Sequence, residues 1–475
     1  MGYPSCDEIR SRQETHMNQT RRRLSRRQLI GGTAAALAAY TIVPRHCLAG
    51  SGETSPNEKI RIATVGAGGQ AGWNVNELEK TGQVEFVALC DVDTERAGKN
   101  LTRFPQAKIF RDFRKMFDEM DKNIDAVLVA TPDHIHAVAA MAALKRGKHV
   151  YCEKPLAHSV HEIRELMKAA RENKVITQLG NQGHSFASSR TFCEWIWDDA
   201  IGKVHTIHAG CASPNSALDR LSEVGTPHPV PATLDWDLWL GPAAFRAYNP
   251  MYCPGKWRSW MPFGTGTPGD WTCHVVDPVF WALDLGAPIS VQAQAKDYDP
   301  AKHADTFPRG SIVKHLFPTK GDRGPITLYW YSGSETIPHP EGLEPERKVP
   351  ATGAIVLGDK GGISYGSHGA GSARLFPETK MRAYQEKLKS TPVRRPLPRP
   401  GRNHHQDWLH AIRTGKPAGS DFSYGGPLTE IAMLSIIAIR MLGQELRWDA
   451  QNMRFTNSPE ATALLTPQFR AGWTL

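Results

Sequence analysis

The sequence predicts an α/β chain of more than one domain that opens on a parallel, dinucleotide-binding sheet. Three observations carry this. Residues 60–91 run strand, glycine turn, helix, strand, acid; the β/α alternation continues to residue 179; and 475 residues exceed what one ordinary core accommodates. Ile60–Val65 is a short β-rich run that ends in Gly66-Ala67-Gly68-Gly69-Gln70-Ala71-Gly72. A helix is expected from about Gln70 to Lys80, then a strand over Val84–Cys90 that Asp91 ends. Glycines in such a turn let the backbone approach a pyrophosphate, which lies at the helix N-terminus where free N–H groups and the dipole favour anions. Gly66, Gly68, Gly69, Gln70 and Ala71, the last in the third fingerprint position, are therefore cofactor-binding candidates. Asp91 is placed to accept hydrogen bonds from adenosine ribose hydroxyls and to repel a 2′-phosphate, which favours NAD over NADP.

The alternation continues with a strand at Asp125–Ala130, the turn Thr131-Pro132-Asp133-His134-Ile135-His136, and a helix to about Arg146. Lys148–Cys152 is the next strand and ends in Glu153-Lys154-Pro155. A helix near His158–Asn173 and a strand at Val175–Leu179 complete the unit, taken as 58–179. Ligands of open parallel sheets sit beyond the carboxyl ends of the strands, where Thr131, Pro132, Glu153 and Lys154 fall. His134 and His136 have a metal-like spacing, but no third ligand accompanies them and no metal is expected.

Farther on, Asp270-Trp271-Thr272-Cys273-His274-Val275-Val276-Asp277 places a carboxylate and an imidazole four residues apart, on one face of a helix. Such a pair suits removal of a proton from an alcohol, because the carboxylate orients the ring and favours its charged form. Asp277 offers a second acid for the ring, and the sequence does not rank the two. Pro278 would distort a helix continuing through the site, so the pattern is expected in the first turns of its helix. Trp236, Trp239, Trp257, Trp260 and Trp271, with Tyr248 and Tyr252, crowd the preceding stretch and suggest a carbohydrate or cyclitol pocket; Arg258 and Lys256 supply polar partners. Asn181, Gln182 and His184 follow the last strand of the first unit and are expected at the same cleft. His404-His405 introduce a helix where a structural role is expected, and Ile431–Leu442 reads as a core helix too short to span a membrane.

The first 49 residues differ from the rest. Arg21-Arg22-Arg23-Leu24-Ser25-Arg26-Arg27 precedes the apolar run Gly31–Val43, far short of a bilayer span of about 20 residues, and Cys47-Leu48-Ala49 offers a cleavage site. This reads as a twin-arginine export signal, so a periplasmic or otherwise exported protein and a passage through the Tat translocase are expected. The leader holds eight arginines against three acids, so +5 of the formal +9 charge lies there and +4 remains, which gives no case for nucleic-acid binding. Of eight cysteines, Cys90 and Cys152 read as buried thiols, and a disulfide among the others is open outside the cytoplasm.

These motifs resemble the glucose–fructose oxidoreductase, inositol dehydrogenase and rhizopine-catabolism (Gfo/Idh/MocA) oxidoreductases. The carriers are Gly66-Ala67-Gly68-Gly69, Ala130-Thr131-Pro132-Asp133-His134-Ile135-His136, Glu153-Lys154-Pro155, and Asp270 with His274. Gly180-Asn181-Gln182-Gly183-His184, Leu234–Pro242 and the terminal Gly472-Trp473-Thr474-Leu475 are similar to the exported branch. The resemblance implies a Rossmann domain, then a C-terminal α/β domain (180–445) on a large, mostly antiparallel sheet that often supports homo-oligomers, with 446–475 as a tail packing on the body. It adds His136 to the cofactor-binding set, and it implies that Lys154 steadies the reacting oxygen and that His274 accepts the proton, with Asp270 as its partner or a substrate ligand. Asn181, His184, Trp257, Arg258, Trp271 and Asp277 are the substrate candidates. The expected activity is oxidation of a sugar or polyol hydroxyl by a retained NAD. The rivals are a glycosidase working by oxidation, elimination and re-reduction, to which the presence of Lys154 is unfavourable, and a non-catalytic nucleotide- or sugar-binding protein.

Overall fold

The computed structural model describes residues 58–475, of which Lys59–Leu475 form one compact unit; the predicted leader lies outside the described residues. The chain begins with β1 (Ile60–Val65), α1 (Gln70–Glu79), β2 (Val84–Cys90), α2 (Thr94–Arg103), β3 (Lys108–Phe110), α3 (Phe113–Met120) and β4 (Ala126–Val129). It continues with α4 (Asp133–Leu144), β5 (His149–Glu153), α5 (Val160–Glu172) and β6 (Thr177–Gly180). The six strands form a parallel sheet in the order β3-β2-β1-β4-β5-β6. β4 is apolar at every position and β1 at all but Arg61 and Thr64, because both faces of the sheet are covered. Ala63, Val65, Val127 and Val129 enter one core, while Ile62, Ala126, Leu128 and Tyr151 enter the other. The strand order reverses between β1 and β4, which opens a crevice at their carboxyl ends.

The α2–β3–α3 segment is not announced by the sequence pattern. β3 is a three-residue edge strand with one buried side chain, too short to leave an apolar run. Its flanking helices are instead started by Asp93 and Asp112, whose carboxylates accept from N–H groups of the first turns.

The second layer holds α6 (Ala187–Trp197), β7 (Val204–Cys211), α7 (Trp236–Leu240), α8 (Gly266–Val275), α9 (Asp277–Leu283), β8 (Ser290–Gln294), β9 (Gly310–Phe317) and β10 (Ile326–Gly333). β11 (Thr352–Gly358), β12 (Gly361–Gly366), β13 (Arg374–Phe376), α10 (Glu378–Ser390), α11 (His404–Thr414), α12 (Phe422–Arg440), β14 (Leu446–Asp449) and β15 (Arg454–Phe455) follow. These strands make a nine-stranded sheet, β13-β12-β11-β7-β10-β9-β8-β14-β15, antiparallel except where β7 pairs with β10. Ile207, Val313, Leu328, Trp330 and Val356 point from its one face into the core shared with α8 and α12.

Three expectations are corrected. Residues 404–414 return to the first sheet, where Trp408 and Leu409 join the core around Ile62 and Tyr151, so the domain border at 179 does not follow the packing. Residues 446–455 are not tail: β14 pairs with β8 and extends the large sheet. The core helix is α12, 19 residues, and by length and composition it would cross a membrane; 78% of its apolar window is buried inside the protein. Cys90, Cys152, Cys193, Cys211, Cys253 and Cys273 are all buried and unpaired, so no disulfide forms among the described residues.

Candidate active site

A cavity of about 280 Å³ lies at the carboxyl ends of β1, β2 and β4, lined by Gly66, Gly68, Gly69, Gln70, Asp91, Thr131 and Pro132 among others. Its chemistry fits a dinucleotide. The N-cap of α1 is Gly69, no side chain caps the helix, and no acid stands in its first turn. The Ala71 and Gly72 N–H groups donate back to the carbonyl oxygens of Gly68 and Gly69 (3.1 Å each), so those of Gly69 and Gln70 are the ones left for an anion from outside the helix. Gly66 has φ +88° and a Cβ there would lie 2.5 Å from the Ala130 carbonyl oxygen; a Cβ on Gly68 would come within 2.9 Å of Arg96. Gly66→Ala is accordingly expected to lower nucleotide content at least about tenfold while the far-ultraviolet circular dichroism stays that of the parent, since the strain and displacement fall on this turn alone.

Asp91 lines the cavity and pins the glycine turn. Its Oδ2 accepts from the N–H groups of Ala67 (2.8 Å) and Gly68 (3.1 Å), and Oδ1 accepts from Asp93 (3.0 Å). Burial pushes its carboxyl up, and these bonds pull the other way. Other candidates support the cleft from behind. Ala71 is fully buried in α1. His136 is corrected from ligand to staple: its ring nitrogens face the carbonyl oxygens of Pro155 (2.7 Å) and Thr131 (2.9 Å), joining two strand-end turns. Glu153 is corrected likewise. It is buried and accepts from Asn74 (2.8 Å), Gln182 (2.9 Å) and the Lys154 backbone (3.3 Å), so it fixes the turn that carries Lys154.

Lys154 meets α8 there. Its Nζ donates to Asp270 Oδ1 (2.6 Å) and to the Asp270 carbonyl oxygen (2.9 Å). Arg258 Nε donates to the same Oδ1 (3.2 Å) and Asn215 Nδ2 to Oδ2 (3.2 Å). Burial alone would push the Asp270 carboxyl up, but the charges of Lys154 and Arg258 hold it well below the carboxylate range. Burial pulls the Lys154 ammonium down and Asp270 more than restores it. Asp270 is thus the partner of Lys154 and Arg258, which corrects its expected role on the His274 ring. Asp277 does not fill that role either. It accepts from Tyr424 (2.6 Å) and faces His184 Nδ1 (3.0 Å), whose ring stacks on Trp281, a buried network that removes both Asp277 and His184 from the substrate candidates. Asn181 is buried with neither amide atom partnered among the described residues, so it keeps two polar atoms for a ligand.

His274 sits in the last turn of α8, not the first, because Pro278 opens α9 instead of interrupting one long helix. It is buried and its Nδ1 has no hydrogen-bond partner among the described residues. Its ring packs on Trp271 and, at 4.2 Å between centroids, on His368. Burial, followed by the charges of Lys154 and His368, pushes it well below the ordinary histidine range, so the ring is neutral at neutral pH. Sequence reasoning missed His368. It stands ninety-four residues on, between Gly366-Ser367 and Gly369-Ala370-Gly371 in the loop after β12, where no periodic pattern marks it. Arg96 and Arg111, also lining the cofactor cavity, carry no motif either, and Trp473 of the terminal Gly472-Trp473-Thr474-Leu475 joins them there.

The tryptophan cluster is mostly core. Trp236, Trp239 and Trp260 pack with Tyr252 and Phe263, and Trp236 stacks on Trp239 at 4.8 Å, so these rings are chiefly core, with Trp239 also bordering the cofactor cavity and Trp260 the second cavity. Trp257 lines the cofactor cavity with the Arg258 guanidinium 4.2 Å above its ring. Arg258 also lines a second cavity, about 400 Å³, with Asn215, Lys256 and Asp270. His134, the other half of the metal-like spacing, faces the carbonyl oxygens of Phe263 (3.2 Å) and Trp239 (3.0 Å).

A Rossmann sheet to whose carboxyl edge a second α/β domain brings a carboxylate and an imidazole, beside a strand-end amine, is an arrangement of NAD-binding oxidoreductases. The model of the oxidoreductase family's NAD-binding Rossmann fold matches residues 60–181, and that of its C-terminal alpha/beta domain matches residues 222–309. Over these two segments the chain thus matches the Gfo/Idh/MocA oxidoreductase family. An inositol 2-dehydrogenase from Rubrobacter xylanophilus is 35% identical over 127 residues, 26% of this chain and 35% of that protein. A 1,5-anhydro-D-fructose reductase from Ensifer adhaerens is 30% identical over 131 residues, 28% of this chain and 38% of that protein. The matches thus span little more than a third of these curated relatives. Among solved structures, the WlbA dehydrogenase from Bordetella pertussis in complex with NADH and UDP-GlcNAcA superposes with TM-score 0.54 at 16% identity, covering 82% of this chain and 99% of that one. A myo-inositol 2-dehydrogenase from Lactobacillus plantarum gives TM-score 0.52 at 16% identity over 82% and 100%. These two likenesses concern the fold.

Proposed function

We propose that this protein oxidises a ring or secondary hydroxyl of a sugar, sugar derivative or cyclitol, with NAD as the hydride acceptor when bound in the cavity at Gly66–Gln70. The observation that carries the reading is that Lys154, Asp270 and His274, from two remote stretches, belong to one cluster in which His274 is buried and Lys154 and Asp270 are half-buried. Lys154 is poised to hold the reacting oxygen and to lower the cost of negative charge on it. His274, neutral and without a partner on Nδ1 among the described residues, receives the hydroxyl proton. Asp270 keeps the Lys154 amine charged and aimed, and Arg258 anchors Asp270 from the side of the cofactor cavity. Asp91 supports NAD over NADP, because a carboxylate at that place repels a 2′-phosphate.

The twin-arginine leader supports an exported enzyme that carries its cofactor out already folded around it. Retention for hours needs dissociation near about 10⁻⁴ s⁻¹, hence a Kd of order 10⁻¹⁰ M with association at ~10⁶ M⁻¹s⁻¹, roughly −14 kcal/mol. The same nucleotide is then recycled by a second substrate or by re-reduction of the first. A homo-oligomer belongs to this reading. The test is to denature the purified exported protein and assay the supernatant for nucleotide, then to screen sugars and cyclitols for reduction of the bound nucleotide by its absorbance. Nucleotide is expected in the supernatant, and at least one sugar is expected to reduce it. An empty supernatant removes the retained cofactor, and a silent panel removes the activity.

A further inference from the structure

We propose that the substrate is anionic, a sugar bearing a carboxylate or a phosphate and not a neutral sugar. The inference rests on the hydride-transfer reading and deepens it. The second cavity opens beside Asp270 and shares Arg258 with the cofactor cavity, so it is where a substrate would extend away from the reacting carbon. Its walls are Asn215, Ser216, Arg220, Lys256, Arg258 and Asp270, with backbone and apolar atoms between. The charges do not balance. Asp270 is a single carboxylate shared by two cations, Lys154 at 2.6 Å and Arg258 at 3.2 Å. Arg220 is neutralised by Glu223 (2.6 Å) on the rim. Lys256 has the Met251 sulfur 3.7 Å away and acts on Glu223 at longer range, but among the described residues no carboxylate lies within ion-pair distance of it. Glu153, whose side-chain partners are amides, offsets Lys154 from behind. The four cations Lys154, Arg220, Lys256 and Arg258 thus face three carboxylates, Asp270, Glu153 and Glu223, and one positive charge is left over around the cavity.

A cation excess of this kind, at the mouth of a cavity, is offset when a ligand brings negative oxygen atoms. A neutral sugar brings only hydroxyls, which Asn215 and Ser216 are suited to hold. A uronate, an aldonate and a sugar phosphate share the chemistry that answers it, and they differ in shape and charge.

The test compares matched pairs on the full, nucleotide-loaded protein. D-glucuronate, D-gluconate and D-glucose 6-phosphate are set against D-glucose, with D-galacturonate against D-galactose, measuring binding by calorimetry and reduction of bound nucleotide by absorbance. At least one anion is expected to bind about tenfold or more tighter than its neutral parent, and the advantage is expected to shrink as salt rises. Whether the carboxylates or the phosphate win identifies the anion's source. Lys256→Gln, on an exposed side chain whose loss leaves the core untouched, is expected to cut the anion-to-neutral ratio by about fivefold to tenfold. Equal binding of anions and parents, or a ratio unmoved by Lys256→Gln, overturns the inference. Tighter anion binding with no sugar reducing the nucleotide keeps it and removes hydride transfer. Reduction by the neutral sugars with no preference for anions does the reverse.

Discussion

Lys154→Met lowers turnover of bound nucleotide by about 10²–10³-fold, the range expected when one charged group aimed at a developing oxyanion is removed from a buried site. Methionine keeps the length and apolar stem of the side chain, so the packing beyond β5 remains. What disappears is the donor 2.6 Å from Asp270 Oδ1 and the positive charge beside the reacting oxygen. Two neighbours respond, in opposite senses for catalysis. Asp270 keeps Arg258 and Asn215 but loses its strongest cation, so its carboxyl rises toward the ordinary range. His274 is relieved of a repelling ammonium and becomes a stronger base, which taken alone would speed proton removal. A loss of turnover despite that gain measures what the ammonium does at the oxygen. Nucleotide content is expected to hold, because Lys154 makes no hydrogen bond to the glycine turn or to Asp91. The check is single-turnover absorbance with the most active sugar of the panel, alongside nucleotide assay after denaturation. A loss smaller than about tenfold would place Lys154 among groups that only shape the pocket.

Most of the first domain was legible because its determinants are local. The Gly66–Gly69 turn, the apolar β1, β4 and β5 and the polar strand ends each mark themselves within a few residues, and the element limits agree to within two or three. What was not legible depends on contacts distant in sequence. Asp270 and His274 do lie on one helix, four apart, yet helical spacing states only that two side chains share a face. It does not say that Lys154, 116 residues upstream, takes the carboxylate while His368 packs on the ring. The tryptophans show the converse error. Their density signals a cluster, and a satellite core of Trp236, Trp239 and Trp260 satisfies that signal as well as a sugar pocket does. His136 and Glu153 were found for the right turns and given the wrong task, since a motif at a strand end contains both groups that face the ligand and groups that hold the turn.

Acid is expected to unfold this protein before it silences His274. Four buried histidines are held neutral: burial takes His134 and His405 down to about 3 and His315 and His404 down to about 4. Burial outweighs their polar neighbours: His404 contacts the Leu179 carbonyl oxygen, which favours the charged ring, and the Ser185 hydroxyl; His405 stacks on Tyr151 beside Asn74, and His315 meets Ser435. In the unfolded chain each titrates near 6.5, so below that pH the unfolded state binds more protons and stability falls as pH falls. The contribution is whole above about pH 6.5 and is lost progressively toward 3–4; at pH 5 each histidine has cost about 2 kcal/mol, or about 8 kcal/mol for the four. Glu162 works the other way. Burial raises it to about 7, above its unfolded value, so its penalty is present at neutral pH and relieved on acidification, returning about 2 kcal/mol by pH 5. The net loss of about 6 kcal/mol is a large part of the 5–15 kcal/mol that ordinarily separates folded from unfolded. The melting temperature is expected to drop by roughly 5–10 °C between pH 7.5 and pH 5.0, given about 1 °C per kcal/mol for a chain of this size. Paired carboxylates such as Asp270, held low by Lys154 and Arg258, add their loss only at still lower pH. The acid limb of turnover should then be steeper than a single ionisation and should track the melting curve. A melting temperature flat from pH 7.5 to 5.0, with a one-proton limb near 6.5, would mean that these rings reach water in the folded protein and that His274 titrates as an ordinary histidine.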